Sequence, residues 1–494
     1  MKYVSSRNDS INIDPLQAMI NGLSSDGGLY TPILENNEKI DITELVSLNY
    51  QDLAVKIISF FIKELAIDDI KECVYNAYDD KFDIENIVNL KECKDAYILE
   101  LWHGPTSAFK DLALTLLPHL LTKAYEYKGI NKTLAILTAT SGDTGKAALS
   151  GFKDVKNTAV TVFYPELGVS DIQKRQMITS DGNNVKVIAV KGNFDDCQRL
   201  VKKISTSNII NDYDNVILSS ANSINVGRLI PQIVYYFDAY LELVRKNKIQ
   251  IGEQINFCVP TGNFGNILAG YIAKEIGLPI NKLICASNSN NILTDFINTG
   301  KYDLHRDFIT TISPSMDILI SSNLERLLYL LYKDSNKINE LMKKLNEDKV
   351  YQVEENILSE IKKDFSGYYT SEDECRQMIK DLFNNENTLI DPHTSVAYSS
   401  YLKYKNDTKD NTKTVVLSTA SPYKFGIDVL DSLGYKIDNP YLALNKLEEI
   451  SSTPIPSNLK DLDKLSIRFK DVIEIEDGEK TIRERLKEIN DGKY

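Results

Sequence analysis

Short apolar runs of strand length alternate with stretches of helical periodicity from residue 133 onward, and this alternation limits the possible folds more than any other feature. The runs are TLAILTAT (133–140), AVTVFYP (159–165), VKVIAV (185–190), NVILSSA (215–221), QINFCVP (254–260), KLICASN and, further on, TVVLSTA (414–420). Between them lie helix-like stretches such as FDDCQRLVKKIS, RLIPQIVYYFDAYLELVRK and ILAGYIAKEIG. Strands alternating with helices of this length predict βαβ units and a largely parallel sheet, hence an α/β protein. The flanks read differently. Residues 1–95 read as helices around short strands, with a turn at SSDGGLYTP (24–32). Residues 320–385 read as charged amphipathic helices, and Ser371 with Glu374 has the spacing of a capping box.

Composition removes several classes of function. Lys and Arg number 57 against 70 Asp and Glu, a net charge of −13. A dedicated nucleic-acid binder shows the opposite balance, and an anionic small molecule must be captured by a local site. The six cysteines contain no CxxC pair and the four histidines no HExxH, so no metal site is expected. No run of 18 apolar residues predicts a membrane span and no signal-peptide pattern opens the chain, so a cytoplasmic protein is expected.

Four segments rich in Gly, Ser, Thr and Asn carry chemistry. TATSGDTGKAAL (138–149) and VPTGNFGNILAG (259–270) each follow a strand and open a helix, where backbone N–H groups and the helix dipole favour a phosphate or carboxylate. The first is not a Walker loop, because Thr140 replaces its first Gly and Ala147 its Ser/Thr. The second is not GxGxxG, since two residues separate Gly262 from Gly265. In WHGPTSAFKDLAL (102–114), Lys110 follows a Gly-Pro turn; it is either a solvated charge or a desolvated amine able to bond a carbonyl carbon. In SSANSINVGRLIPQ (219–232), Arg228 lies near a helix start, where the dipole disfavours a cation unless an anion sits there too. Taken singly, each segment is equally a plain strand–helix connector.

Together, HGPTSAFKD, TATSGDTG, SSANSINVGRLIPQ, PTGNFGN, DPHTSVAY and STASPYKF occur in the order found in the threonine synthase family, and SSDGGLYTP resembles its opening motif. The resemblance spans about residues 5–430 and is to the longer bacterial and fungal type. It implies a fold type II pyridoxal-phosphate enzyme with large and small domains, each a mostly parallel sheet flanked by helices. Residues 1–95 are expected to pack on the large domain. Residues 96–245 should form mainly a small mobile domain with the cofactor lysine, and 246–494 mainly the large domain with a helical insertion at about 320–385.

The implied roles follow residue by residue. Lys110 matches the lysine that holds pyridoxal 5'-phosphate and serves as catalytic base and acid. Gly262, Asn263, Phe264, Gly265 and Asn266 match the cofactor-phosphate loop, and Thr419 the hydroxyl facing the pyridine nitrogen. Ser141, Asp143 and Thr144 match the loop beside the substrate carboxylate and the cofactor's phenolic oxygen. Asn222, Ser223, Asn225 and Arg228 match the segment near the substrate phosphate. Lys146 stands where the family usually has Ala or Ser. The implied reaction converts O-phospho-L-homoserine and water to L-threonine and phosphate, in a monomer or homodimer. The alternatives are a related phospho-lyase releasing 2-oxobutyrate, a serine/threonine dehydratase, and a non-catalytic binding protein of the same fold.

Overall fold

A computed structural model describes residues 1–493 apart from 35–37, 141, 168, 206 and 452. Each run identified above as a strand forms one, and the strands assemble into two sheets. The first has six strands, in the order Phe365–Tyr369, Ile280–Ser287, Ile255–Pro260, Thr414–Ser418, Tyr97–Glu100 and Asn89–Glu92. All its pairings are parallel except the last. The second is wholly parallel, in the order Val472–Glu474, Val185–Lys191, Thr158–Pro165, Thr133–Ala139 and Val216–Ser219. The two sheets draw on chain from both sides of residue 245. Tyr97–Glu100 enters the first sheet, and the tail strand Val472–Glu474 joins the second beside the helix Gly478–Asn490.

The central strands are buried along their whole length, as in Thr158–Pro165 and Ile255–Pro260. Helices cover both faces of such sheets, so their strands read as continuous apolar runs rather than alternations. The helix Pro231–Arg245 is buried over most of its circumference, and Pro392–Thr408 packs on the six-stranded sheet with Asp391 capping its first turn. The predicted capping box of Ser371 and Glu374 is formed.

Two strands interrupt the helical reading of 320–385: Val350–Gln352, which pairs antiparallel with Lys301–Asp303, and Phe365–Tyr369. Phe365–Tyr369 is a strand at the edge of the six-stranded sheet. It pairs on one side only and alternates buried with half-exposed residues, so it carries no continuous apolar run to announce it. Among the described residues, no helix is long and apolar enough to cross a membrane.

Candidate active site

Lys110 sits at the start of the short helix Asp111–Leu114, behind a turn fixed by its own side chains. Asp111 accepts from the Thr106 backbone N–H at 2.8 Å and from Thr106 Oγ1 at 2.6 Å. Gly104 is required there, because a Cβ would lie 2.6 Å from that of Asp111. Burial pushes the Asp111 carboxyl up to about 6. The turn is stitched to the chain leaving the strand Thr414–Ser418: Phe109 N–H donates to the Thr419 carbonyl at 2.9 Å, and Ser421 N–H to that of Ser107 at 3.1 Å. Buried Thr419 is thereby held beside the lysine turn.

The Lys110 side chain is 12% exposed. Burial lowers the pKa of its amine, nearby Arg228 and Lys424 lower it further, and Asp143 at 3.4 Å opposes them. Asp143 opens the helix Asp143–Gly151 and is the hub of the site. It accepts from Lys424 Nζ at 2.5 Å, from Gln173 Nε2 at 2.7 Å and from Ser315 Oγ at 3.4 Å. Burial alone would raise its pKa, but the Lys424 and Lys110 ammonium groups outweigh that and hold it well below the usual carboxylate range. Lys424 has 0% side-chain exposure and also donates to the Thr106 carbonyl at 3.0 Å. Sequence reasoning quoted Lys424 within STASPYKF but gave it no part. Thr144 follows Asp143 in the helix's first turn, half-buried; Ser141 lies outside the described residues.

Residues 262–266 form a cradle. Phe264 takes φ 63°, which bends the chain into the helix Gly265–Glu275, and its buried ring lies 5.7 Å from that of Phe365. Gly262 passes so close to the chain at 315–316 that a Cβ would lie 3.0 Å from the Ser315 carbonyl oxygen. Ser321 Oγ donates to the Gly262 carbonyl at 2.7 Å, and Asn323 N–H to that of Asn263 at 3.1 Å. The amide oxygen of Asn266 accepts from Tyr235 at 2.6 Å and Tyr236 at 2.9 Å, while its amide nitrogen is buried with no partner among the described residues. Asn323 repeats the arrangement. Arg326 occupies its oxygen, its nitrogen is buried and unpaired, and that nitrogen lies 3.3 Å from where a side chain at Gly265 would begin.

Arg326 is wholly buried and also donates to the carbonyls of Tyr30, Ser223 and Ile224. It thus ties the SSDGGLYTP motif and the 219–232 segment to the cradle. Two buried amide donors left unpaired cost roughly 1–3 kcal/mol each. With the backbone N–H groups of a helix start beside them, they fit an anion with several acceptor oxygens. Neither Asn323 nor Arg326 was found from the sequence, where they fall in a stretch that shows only amphipathic periodicity.

The 219–232 segment borders this cradle, with Ser223 Cβ 3.6 Å from the same point on Gly265. Arg228 is 4% exposed. Its Nη1 donates to the Ala221 carbonyl at 2.9 Å, and its Nε is buried without a partner among the described residues. Burial lowers its pKa to about 10, which leaves it a cation at neutral pH. The Asn222 amide oxygen is likewise buried and unpaired. Asn225 takes a different part from the ligand-facing one that the resemblance implies. Its Nδ2 donates to the carbonyls of Met19 and Ser220, and its Oδ1 accepts from Gly227 N–H. At 0% exposure with both amide protons spent, it caps the helix Val226–Leu229 instead.

His103 is held between Asp83 at 2.7 Å and Glu100 at 3.2 Å and stacks on Trp102. Burial would lower its pKa, but the two carboxylates raise it from 6.5 to about 9. A raised folded-state pKa stabilises the fold fully below the unfolded value of 6.5, and the gain is lost as pH rises through about 9. Thermal unfolding midpoints should therefore fall between those two values. His103→Gln should be less stable by about 1–3 kcal/mol at pH 6 and should lose this part of the slope. An unchanged slope in the variant would reject the pairing.

Comparison with known proteins places the chain. The family model described as "Pyridoxal-phosphate dependent enzyme" matches residues 82–420, "Threonine synthase N terminus" matches 2–78 and "Threonine synthase, C-terminal" matches 394–482. "Threonine synthase-like 1" of Homo sapiens is 41% identical over 85% of this chain, and the chain spans only 58% of that protein's length. Threonine synthase of Saccharomyces cerevisiae is 34% identical over 93% of this chain and 95% of its own. The crystal structure of pyridoxal-phosphate-bound threonine synthase from Brucella melitensis superposes with a TM-score of 0.87, at 34% identity and 99% coverage of both chains.

Proposed function

This chain belongs to the threonine synthase family of pyridoxal-phosphate-dependent enzymes, and on that premise we propose that it converts O-phospho-L-homoserine and water to L-threonine and phosphate. The residues fit the cofactor. Residues 262–266, with the unpaired amides of Asn266 and Asn323, would hold its phosphate. Lys110 would hold its aldehyde carbon, Asp143 would lie beside its phenolic oxygen, and Thr419 would face its ring nitrogen. When bound, pyridoxal phosphate supplies the electron sink that makes the substrate's Cα and Cβ protons removable.

The chain's own groups do the rest. Burial, Arg228 and Lys424 favour the neutral Lys110 amine, so it can accept a proton. Asp143, 3.4 Å away, steadies the ammonium form that results. Lys110 is thus placed to take the proton from Cα and return protons during elimination and water addition. Ser141 and Thr144 would receive the substrate carboxylate. Asn222, Ser223 and Arg228 would receive its phosphate, on which charge grows as the Cγ–O bond breaks. The setting proposed is cytoplasmic, with a monomeric or homodimeric enzyme.

One observation carries the choice of a phosphorylated substrate: Arg228 is buried, yet its Nε has no partner among the described residues. Product analysis tests it directly. Threonine and phosphate in equal amounts are expected from phosphohomoserine; 2-oxobutyrate, or no consumption, would overturn the assignment. Arg228→Ala should raise KM and lower kcat, with a loss of about a hundredfold in kcat/KM, because an arginine–phosphate contact is charge-assisted and acts in the transition state as well. The visible absorbance of the bound cofactor should be unchanged. Loss of that absorbance would move Arg228 to the cofactor.

A further inference from the structure

The helices Asp143–Gly151 and Asp171–Ile178 pack together and meet in the site above, where Gln173 donates to Asp143. One turn further along each helix, Lys146 and Gln176 line a different cavity of about 260 Å³. Pro105, from the turn before Lys110, and Leu462, from the C-terminal segment, also border it. Arg175 fastens that segment in place by donating to the carbonyls of Leu462, Asp463 and Leu465.

The hydrogen bonds around this cavity do not close. Lys146 Nζ donates one proton to Ser180 Oγ at 3.0 Å, which leaves two N–H groups. The Ser180 hydroxyl proton goes to the Gln176 backbone carbonyl at 2.9 Å, so Ser180 offers only a lone pair. The Gln176 residue is 1% exposed, and neither its amide nitrogen nor its amide oxygen has a partner among the described residues. Asp181, exposed and paired with Lys153, adds a carboxylate to the lining. Burial pulls the Lys146 ammonium down to about 8 against the opposing pull of Asp181 and Asp111. The lining thus supplies a cation and an amide donor that want a carboxylate, and Asp181 supplies a partner for an ammonium group. The volume lies below the range typical of drug-sized ligands, which excludes a nucleotide.

We propose that this cavity is a second ligand site, for a small zwitterionic α-amino acid whose carboxylate is held by Lys146 and Gln176 and whose ammonium group faces Asp181. The site adjoins the first. Asn458, on the segment that borders the cavity, accepts from Ser107 Oγ at 2.9 Å and donates to the Gly104 carbonyl at 3.1 Å, within the turn that carries Lys110. An occupant would lie against that turn and the two helices that meet at Asp143 without touching the Lys110 amine. The proposal does not depend on which substrate the first site takes.

Calorimetric titration of the holoenzyme with glycine, L-alanine, L-serine and L-threonine tests it. The visible absorbance of the cofactor, followed in parallel, reports binding at Lys110. At least one amino acid should bind without an absorbance change, and more tightly than the corresponding acid without its amine. Lys146→Met should weaken that binding at least about tenfold while the protein keeps its cofactor and thermal midpoint. Gln176→Leu serves as the second variant should Lys146→Met not fold. Asp181→Asn should abolish the preference for the amino acid over its amine-free analogue. The proposal fails if no amino acid up to about 10 mM binds apart from the absorbance change, if the folded variants bind as the parent does, or if the amine-free acid binds equally well.

Discussion

Lys110→Ala should abolish turnover, with kcat falling by at least about a thousandfold, while cofactor is still retained through residues 262–266. The size follows from two losses at one atom. The amine proposed to bond the cofactor would be gone, and so would the group proposed to move protons at the substrate's carbons, a contribution of about a hundredfold to ten-thousandfold by itself. The remaining affinity follows from the geometry of the cradle. The unpaired amides of Asn266 and Asn323 and the bend at Phe264 lie on other elements and do not need the lysine. Borohydride reduction of the parent protein, followed by peptide mapping, should place the cofactor label on Lys110, and the variant should take up no label. A label on another lysine would remove Lys110 from the mechanism, whatever the activity data show. An added primary amine should restore part of the rate in the variant, as a purely structural role would not allow.

Lys424→Met should be the most destabilising single change near the site, at about 3–5 kcal/mol. The lysine is completely buried, and two groups depend on it: Asp143 at 2.5 Å and the Thr106 carbonyl at 3.0 Å. Methionine fills the volume but leaves a buried carboxylate short of its main counter-ion and a buried carbonyl unpaired. The Asp143 pKa should rise toward the ordinary carboxylate range. Lys110 should lose one of the cations that lower its own pKa, so the pH–rate profile should shift to higher pH. The paired variant Asp143→Asn with Lys424→Met separates a positioning role from packing. It should recover much of the stability, because no charge is left unpaired, and little of the activity, because nothing then steadies the protonated Lys110. Additive losses in chemical denaturation across this double-mutant cycle would show that the two residues do not act as a pair.

The parallel-sheet architecture was legible from the sequence because a strand buried on both faces must be continuously apolar, and that is a local property. The central runs, such as TLAILTAT and TVVLSTA, are strands for this reason; Val216–Ser219 is an edge strand that its apolar residues still announced, and Phe365–Tyr369 escaped because it alternates buried with partly exposed residues. The bend at 262–266 and the turn before Lys110 were legible for a related reason: their glycines and prolines answer to backbone geometry within a few residues.

The allocation of hydrogen bonds was not legible, and it decides which side chains face a ligand. Asn225 and Asn266 look alike in sequence, as amides at the start of a helix. One spends both amide protons on the carbonyls of Met19 and Ser220, and the other has its oxygen claimed by Tyr235 and Tyr236 and its nitrogen left free. Asn323 and Arg326 join the site from a helical stretch whose periodicity records only which face is buried. Lys424 reaches the Thr106 carbonyl across 318 residues of chain, whereas Lys146, three residues from Asp143, borders a different cavity altogether. The sequence alone determined most of the strands and helices and the order of the motifs, because burial periodicity and turn chemistry act between near neighbours. The tertiary structure alone decided which polar groups are spent and which are spare, because a buried donor's partner is whatever acceptor the rest of the chain leaves beside it.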